Sequence, residues 1–171
     1  ERDWSVVLVD TDSSKPHLTQ LFSAESEPGF MDLLRDPGLS FEDLVMPTNI
    51  SGLSLLPAGA HDADASELLA SRRMKELCLK LSSADAGRMI IFDSSPLLLT
   101  TEAIALASQV GQVLMVVRAD STPQKAVLAA LDKLDPEMAI NCVLNQTSGA
   151  DLSESYGYYG NYGDVPPSPE P

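Results

Sequence analysis

Val6-Val7-Leu8-Val9-Asp10-Thr11-Asp12 and Met89-Ile90-Ile91-Phe92-Asp93-Ser94-Ser95-Pro96 share one design: an apolar run that breaks at an aspartate. A continuous apolar run, rather than an alternating one, is the pattern of a parallel strand covered on both faces. Its final carboxylate then lies at the carboxyl edge of the sheet, where open α/β sheets bind ligands. Two such strand ends, with a tail carrying Tyr156, Tyr158, Tyr159 and Tyr162, point to nucleotide chemistry. The chain contains no Gly-x-x-x-x-Gly-Lys-Ser/Thr phosphate loop.

The elements around these strands follow from periodicity and punctuation. Strands are expected at 5–10, 53–56, 89–92, 113–117 and 140–144. Short helical pieces are expected at 30–34 and 41–45, separated by Pro37-Gly38. The clearest helix is 64–81, where Ala70, Met74, Leu77, Cys78 and Leu81 recur on one face and Asp64 or Ser66 can cap the start. A further helix is expected at 101–108, and another opens at Thr122-Pro123 and runs to about Leu134. Strands alternating with helices imply an α/β fold, with a mostly parallel sheet and helices on both faces. That domain occupies residues 1–147. Residues 148–171 are rich in Gly, Tyr and Pro and are expected to form a disordered tail.

Composition narrows the class. The 171 residues suit one domain with a sizeable core, and 44% are hydrophobic. With 25 acidic against 11 basic residues the net charge is −14. Nucleic acid and anionic lipid both need a basic footprint, so neither is expected as the main partner. No run approaches the roughly 18 apolar residues of a membrane span, and no signal peptide opens the chain. Cys78 and Cys142 sit among apolar neighbours and are expected to be buried free thiols, as in a reducing cytoplasm. The start at Glu1-Arg2-Asp3-Trp4, one step from a core strand, is that expected of a truncation.

Several residues carry chemistry. Asp93, at a strand end, can hold Mg²⁺ directly or through water while substrate phosphates complete the octahedron; otherwise it caps the next turn. Asp10 and Asp12 would face the same side if strand geometry persists, one shaping the metal shell and the other taking a proton from an attacking hydroxyl. The alternative is an ordinary turn into Lys15-Pro16. The amide of Asn145 offers the donor and acceptor needed to read an adenine edge, or simply forms a turn. The Gly-spaced tyrosines can enter an active site and accept phosphate, or form a sticky tail. His17 and His61 have no metal-ligand spacing.

Taken in order, these motifs resemble the catalytic domain of bacterial tyrosine autokinases, the kind associated with exopolysaccharide synthesis. Residues 7–12 resemble the Walker A′ motif and 90–96 the Walker B. Leu55-Leu56-Pro57-Ala58-Gly59 with Ser66-Glu67-Leu68-Leu69-Ala70-Ser71 resembles the middle segment, Val143-Leu144-Asn145 the base-reading strand end, and the tail the autophosphorylated cluster. The resemblance implies a P-loop NTPase-like fold, related to septum-site and plasmid-partition ATPases, and ATP·Mg²⁺ as nucleotide and metal. It implies Asp10, Asp12 and Asp93 as catalytic residues, Asp12 and Asp93 as metal residues, Asn145 as the nucleotide contact and the tail tyrosines as acceptors. It also implies ring-type self-assembly and a transmembrane polysaccharide co-polymerase or activator that holds the kinase, itself cytoplasmic, at the inner membrane.

Three departures accompany the resemblance. Ser14 stands where the Walker A′ pattern continues to Arg, and Ser95-Pro96 where Walker B often has two prolines. The phosphate-loop strand and its helix are missing, so this chain alone is expected to be inactive and to bind ATP weakly. In the resembling fold that strand lies between 89–92 and 113–117, and either a gap or direct closure is expected there. Two other readings remain open: a partition-type ATPase switch, and a non-catalytic assembly module in polysaccharide export.

Overall fold

The computed structural model describes residues 4–84 and 87–147. The tail, with Tyr156, Tyr158, Tyr159 and Tyr162, lies outside the described residues. The valine-rich run forms β1 (Ser5–Asp10), followed by α1 (His17–Leu21), α2 (Phe30–Arg35), α3 (Phe41–Leu44), β2 (Met46–Pro47) and β3 (Leu53–Leu56). Then come α4 (Ala65–Leu69), α5 (Arg72–Ala84), β4 (Arg88–Asp93), α6 (Thr101–Ala107), β5 (Gln112–Arg118), α7 (Gln124–Leu131) and β6 (Ala139–Asn145).

The strands form two sheets. In the first the order is β2-β3-β1-β4. Strand β1 pairs in parallel with β3, Val9 opposite Leu56, and with β4, Asp10 opposite Asp93. The short β2 is antiparallel on the outer edge. The second sheet is the parallel pair β5–β6, Arg118 opposite Asn145. The result is a mixed α/β fold built largely on parallel strands.

The core lies under the first sheet. Phe30, Met31, Leu33 and Leu34 of α2 are all buried, packed with Val7, Val9, Leu56, Leu69 and Met74. The rings of Phe30 and Phe92 meet at 5.8 Å, a tilted contact that ties α2 to β4. Around β5 and β6 the picture reverses. Leu114, Val116 and Leu144 are each about 60% exposed.

Strands β4 and β5 do not pair, so of the two expected outcomes the gap is the one observed. Between them lies an apolar slot of about 1280 Å³, lined by Ile90 and Phe92 on one side and Val113 and Met115 on the other. Each strand leaves one row of N–H and C=O groups on that side without a ladder partner.

Three expectations need correction. The helix over 64–81 is two helices. Ala70 ends α4, and the Ser71 hydroxyl accepts the Met74 N–H at 3.2 Å, restarting the chain as α5. A serine that competes for backbone bonds caps a helix better than it continues one. Helix α7 stops at Leu131, and the chain reaches buried Leu134 through a tighter turn, with Lys133 and Leu134 N–H donating three residues back. Cys142 is exposed rather than buried, because it lies on the uncovered β6; Cys78 is half-buried, which raises its thiol pKa. Both are free thiols.

Candidate active site

The register of β1 against β4 sets the site. Asp10 and Asp93 end adjacent parallel strands as direct partners, so both carboxylates arrive at one sheet edge. Asp10 is fully buried. Its Oδ2 accepts the Thr19 N–H at 2.9 Å and the Thr19 hydroxyl at 2.8 Å, and its Oδ1 accepts the Asp12 N–H at 3.2 Å. Burying a carboxylate is tolerable only with such partners.

Strand geometry ends at Asp10, so Asp12 does not repeat its orientation. Asp12 is half-buried and its Oδ1 accepts the Ser14 and Lys15 N–H groups at 3.2 and 2.9 Å. That is the ordinary turn into Pro16, and it coexists with a free Oδ2 available for other work. Asp93 lies exposed at the rim of the slot. Loss of water around it raises its pKa; the negative charges of Asp10 and Asp12 raise it further, and His17 opposes them.

These three aspartates offer hard oxygen donors, the type that suits Mg²⁺. Among the described residues no group of three or more His, Cys, Asp or Glu forms a metal site by itself. One or two such carboxylates could hold a Mg²⁺ whose remaining positions are filled by phosphate and water oxygens.

The shelf beside Asp10 is rigid. The N–H groups of Phe30 and Met31 donate to the carbonyls of Pro57 and Ala58 at 2.8 and 3.0 Å. Asp32 Oδ2 accepts the N–H of Gly29 at 2.8 Å and of Ala60 at 3.2 Å. A Cβ at Gly29 would stand 2.2 Å from the Pro57 carbonyl oxygen, so only glycine allows this approach. Arg35 pairs with Asp62, and His61 Nδ1 lies 3.2 Å from the Ser13 carbonyl.

Asn145 stands apart from this cluster. It ends β6 in the other sheet, exposed, and its carboxamide oxygen accepts the Gln146 N–H at 2.8 Å. Its side-chain nitrogen remains available to a ligand. Thr11, Thr19 and the Arg35–Asp62 pair were not foreseen from sequence, because their partners lie at separations that no local pattern reports.

No family model matches the chain. The kinase domain of VpsO superposes with a TM-score of 0.74 at 31% identity, over 84% of this chain and 71% of that domain. The chain belongs to the bacterial tyrosine kinases. Within that family, tyrosine-protein kinase Wzc of Salmonella typhi is 29% identical over 160 residues, 90% of this chain and 21% of Wzc. This tyrosine-kinase chain thus spans about a fifth of that relative's length. The septum-site-determining protein MinD of Pyrococcus horikoshii, complexed with Mg-ADP, matches with a TM-score of 0.61 at 20% identity, over 85% of this chain and 60% of MinD. That likeness concerns the fold, which is that of the P-loop ATPases.

Among the described residues no helix is long and apolar enough to cross a membrane.

Proposed function

We propose that this chain supplies the carboxylate half of an ATP·Mg²⁺ site in a protein-tyrosine autokinase. The observation that carries the reading is the placement of Asp10 and Asp93 as partners at one sheet edge, with Asp12 two residues beyond. Asp12 and Asp93 hold the metal, and Asp10 or Asp12 takes the proton. Mg²⁺ held by these carboxylates would supply charge neutralisation for the transferring phosphate. The tyrosine oxygen forms a bond to the γ-phosphorus, the bond from that phosphorus to the β–γ bridging oxygen breaks, ADP leaves, and the phenolic proton passes to the carboxylate. Asn145 contacts the adenine.

The acceptors are Tyr156, Tyr158, Tyr159 and Tyr162, presented by a neighbouring copy in a ring. A transmembrane activator of polysaccharide export recruits the kinase to the inner membrane. The backbone cradle for the phosphates comes from an apolar strand seated in the slot between β4 and β5, whose loop would open beside Asp93.

The test uses the full-length polypeptide that contains this domain. Mass spectrometry after incubation with ATP·Mg²⁺ should find phosphate on the tail tyrosines, and Asp93→Asn should abolish it. Phosphate on serine alone, or transfer undiminished by Asp93→Asn, overturns the reading. ATP hydrolysis without phosphotyrosine would instead identify a partition-type switch. Absence of both nucleotide binding and hydrolysis would identify an assembly module.

A further inference from the structure

We propose that Thr19 is a positioning residue, fixing the buried Asp10 carboxylate against the Pro57-Ala58-Gly59 shelf so that Oδ1 stays turned to the Asp12 N–H and sets the Asp12 turn. This rests on the reading of Asp10 as part of the kinase site.

The directions of the hydrogen bonds lead to it. The Ala58 N–H lies 2.9 Å from the Thr19 hydroxyl, and an amide N–H can only donate, so the hydroxyl accepts there. The hydroxyl proton is then free to point at Asp10 Oδ2, 2.8 Å away. The backbone N–H of Thr19 adds a second bond to the same oxygen at 2.9 Å. Oδ2 is thereby doubly engaged, whereas Oδ1 holds one longer bond, 3.2 Å from the Asp12 N–H.

Turning the carboxylate over would exchange these environments and disturb all three contacts at once. Thr19 is 3% exposed and Ala58 fully buried, so neither has water as a substitute partner. Ala58 is itself held by the Met31 N–H at its carbonyl, with Gly59 beyond it at a φ of +78°. The hydroxyl therefore transmits the rigidity of α2 to the end of β1. A hydrogen-bonded partner behind a working ligand commonly matters by about 10–100-fold when removed.

The experiment compares Thr19→Val, which keeps the shape and removes the hydroxyl, with Thr19→Ser, which keeps the hydroxyl, both in the full-length polypeptide. Thr19→Val should lower kcat for tyrosine autophosphorylation about 10–100-fold while KM for ATP stays within about twofold. It should also shift the ¹³C carboxylate resonance of Asp10 and speed hydrogen exchange at the Ala58 amide. Thr19→Ser should restore all three. Should Thr19→Val not fold, Thr19→Ala carries the same expectations. An Asp10 resonance and a kcat both unmoved by loss of the hydroxyl overturn the proposal, as does a rise in KM with kcat intact. If the unaltered protein transfers no phosphate to tyrosine, the kinase reading falls. The Asp10 resonance then decides the positioning claim: a shift reversed by Thr19→Ser upholds it, and no shift overturns it.

Discussion

Thr11 holds the carbonyl of Asp93 twice, through its backbone N–H at 2.9 Å and its hydroxyl at 2.6 Å. The pairing of β1 with β4 is thus carried one residue past the Asp10–Asp93 register. Thr11→Val keeps the N–H bond and the shape but loses the hydroxyl bond. The expected cost in thermal unfolding is about 0.5–1.5 kcal/mol. A larger effect is expected on function if Asp93 holds the metal as proposed, since its backbone would be freed to shift. Titration of the full-length kinase with Mg²⁺ should show weakened activation; an unchanged Mg²⁺ dependence would leave Thr11 as a stabilising residue alone.

Asp93 should make the protein less stable as pH rises. Its folded pKa lies above the ordinary carboxylate value, through loss of water and the charges of Asp10 and Asp12. In the window between the ordinary and the raised value the folded state binds more protons than the unfolded one. Stability then falls as pH climbs through that window, and the penalty is complete at neutral pH. Asp93→Asn should therefore raise the melting temperature at pH 7 while removing metal-dependent transfer. Melting curves from pH 3 to 7 check the sign, and a lower melting temperature for Asp93→Asn at neutral pH would contradict it.

Gly29→Ala should be among the costliest small substitutions in the domain. The added carbon would meet backbone atoms, the Pro57 carbonyl oxygen at 2.2 Å and the Gly59 nitrogen at 2.4 Å, and neither can swing aside like a side chain. Overpacking of this kind costs about 1–3 kcal/mol. The shift would pass through Ala58 to Thr19, so hydrogen exchange at the Ala58 amide should rise with the loss of stability. Retention of wild-type melting and exchange would show that the shelf yields.

The 171-residue chain by itself should bind ATP·Mg²⁺ only weakly, since it offers carboxylates and no backbone cradle for phosphates. Calorimetry on the purified chain tests this, and micromolar binding would refute it. The same sample should aggregate readily. Its slot presents unpaired strand edges beside exposed Met89, Ile91, Leu114 and Val116.

How much was legible in the sequence depended on range. The strands ending at Asp10 and Asp93 could be read because each is apolar without interruption and the aspartate marks its end, although β4 leaves Met89 and Ile91 exposed on one face. Their juxtaposition could be expected only through the resemblance, since strand order is not written locally. The five-residue α1 was missed: the residues before it read as a turn into Lys15-Pro16, and one turn and a half of helix leaves no periodicity to detect. The break at Ser71 was overridden by good apolar spacing on either side. Thr19 lies nine residues from Asp10 and 39 from Ala58, and no motif links such positions. Cys142 misled because apolar neighbours signal burial only when something covers the strand.

The slot between the sheets also bears on how this molecule comes apart. No ladder bond joins β4 to β5, so the pair β5–β6 can open without breaking hydrogen bonds of the four-stranded sheet. Such a chain is expected to open in two cooperative units rather than one. A single melting midpoint would average a firm half, built on α2 and β1, with a loose half carrying Asn145. Asp93 and Asn145 thus sit on parts of differing stability, and a strand seated in the slot would fuse those parts into one folding transition.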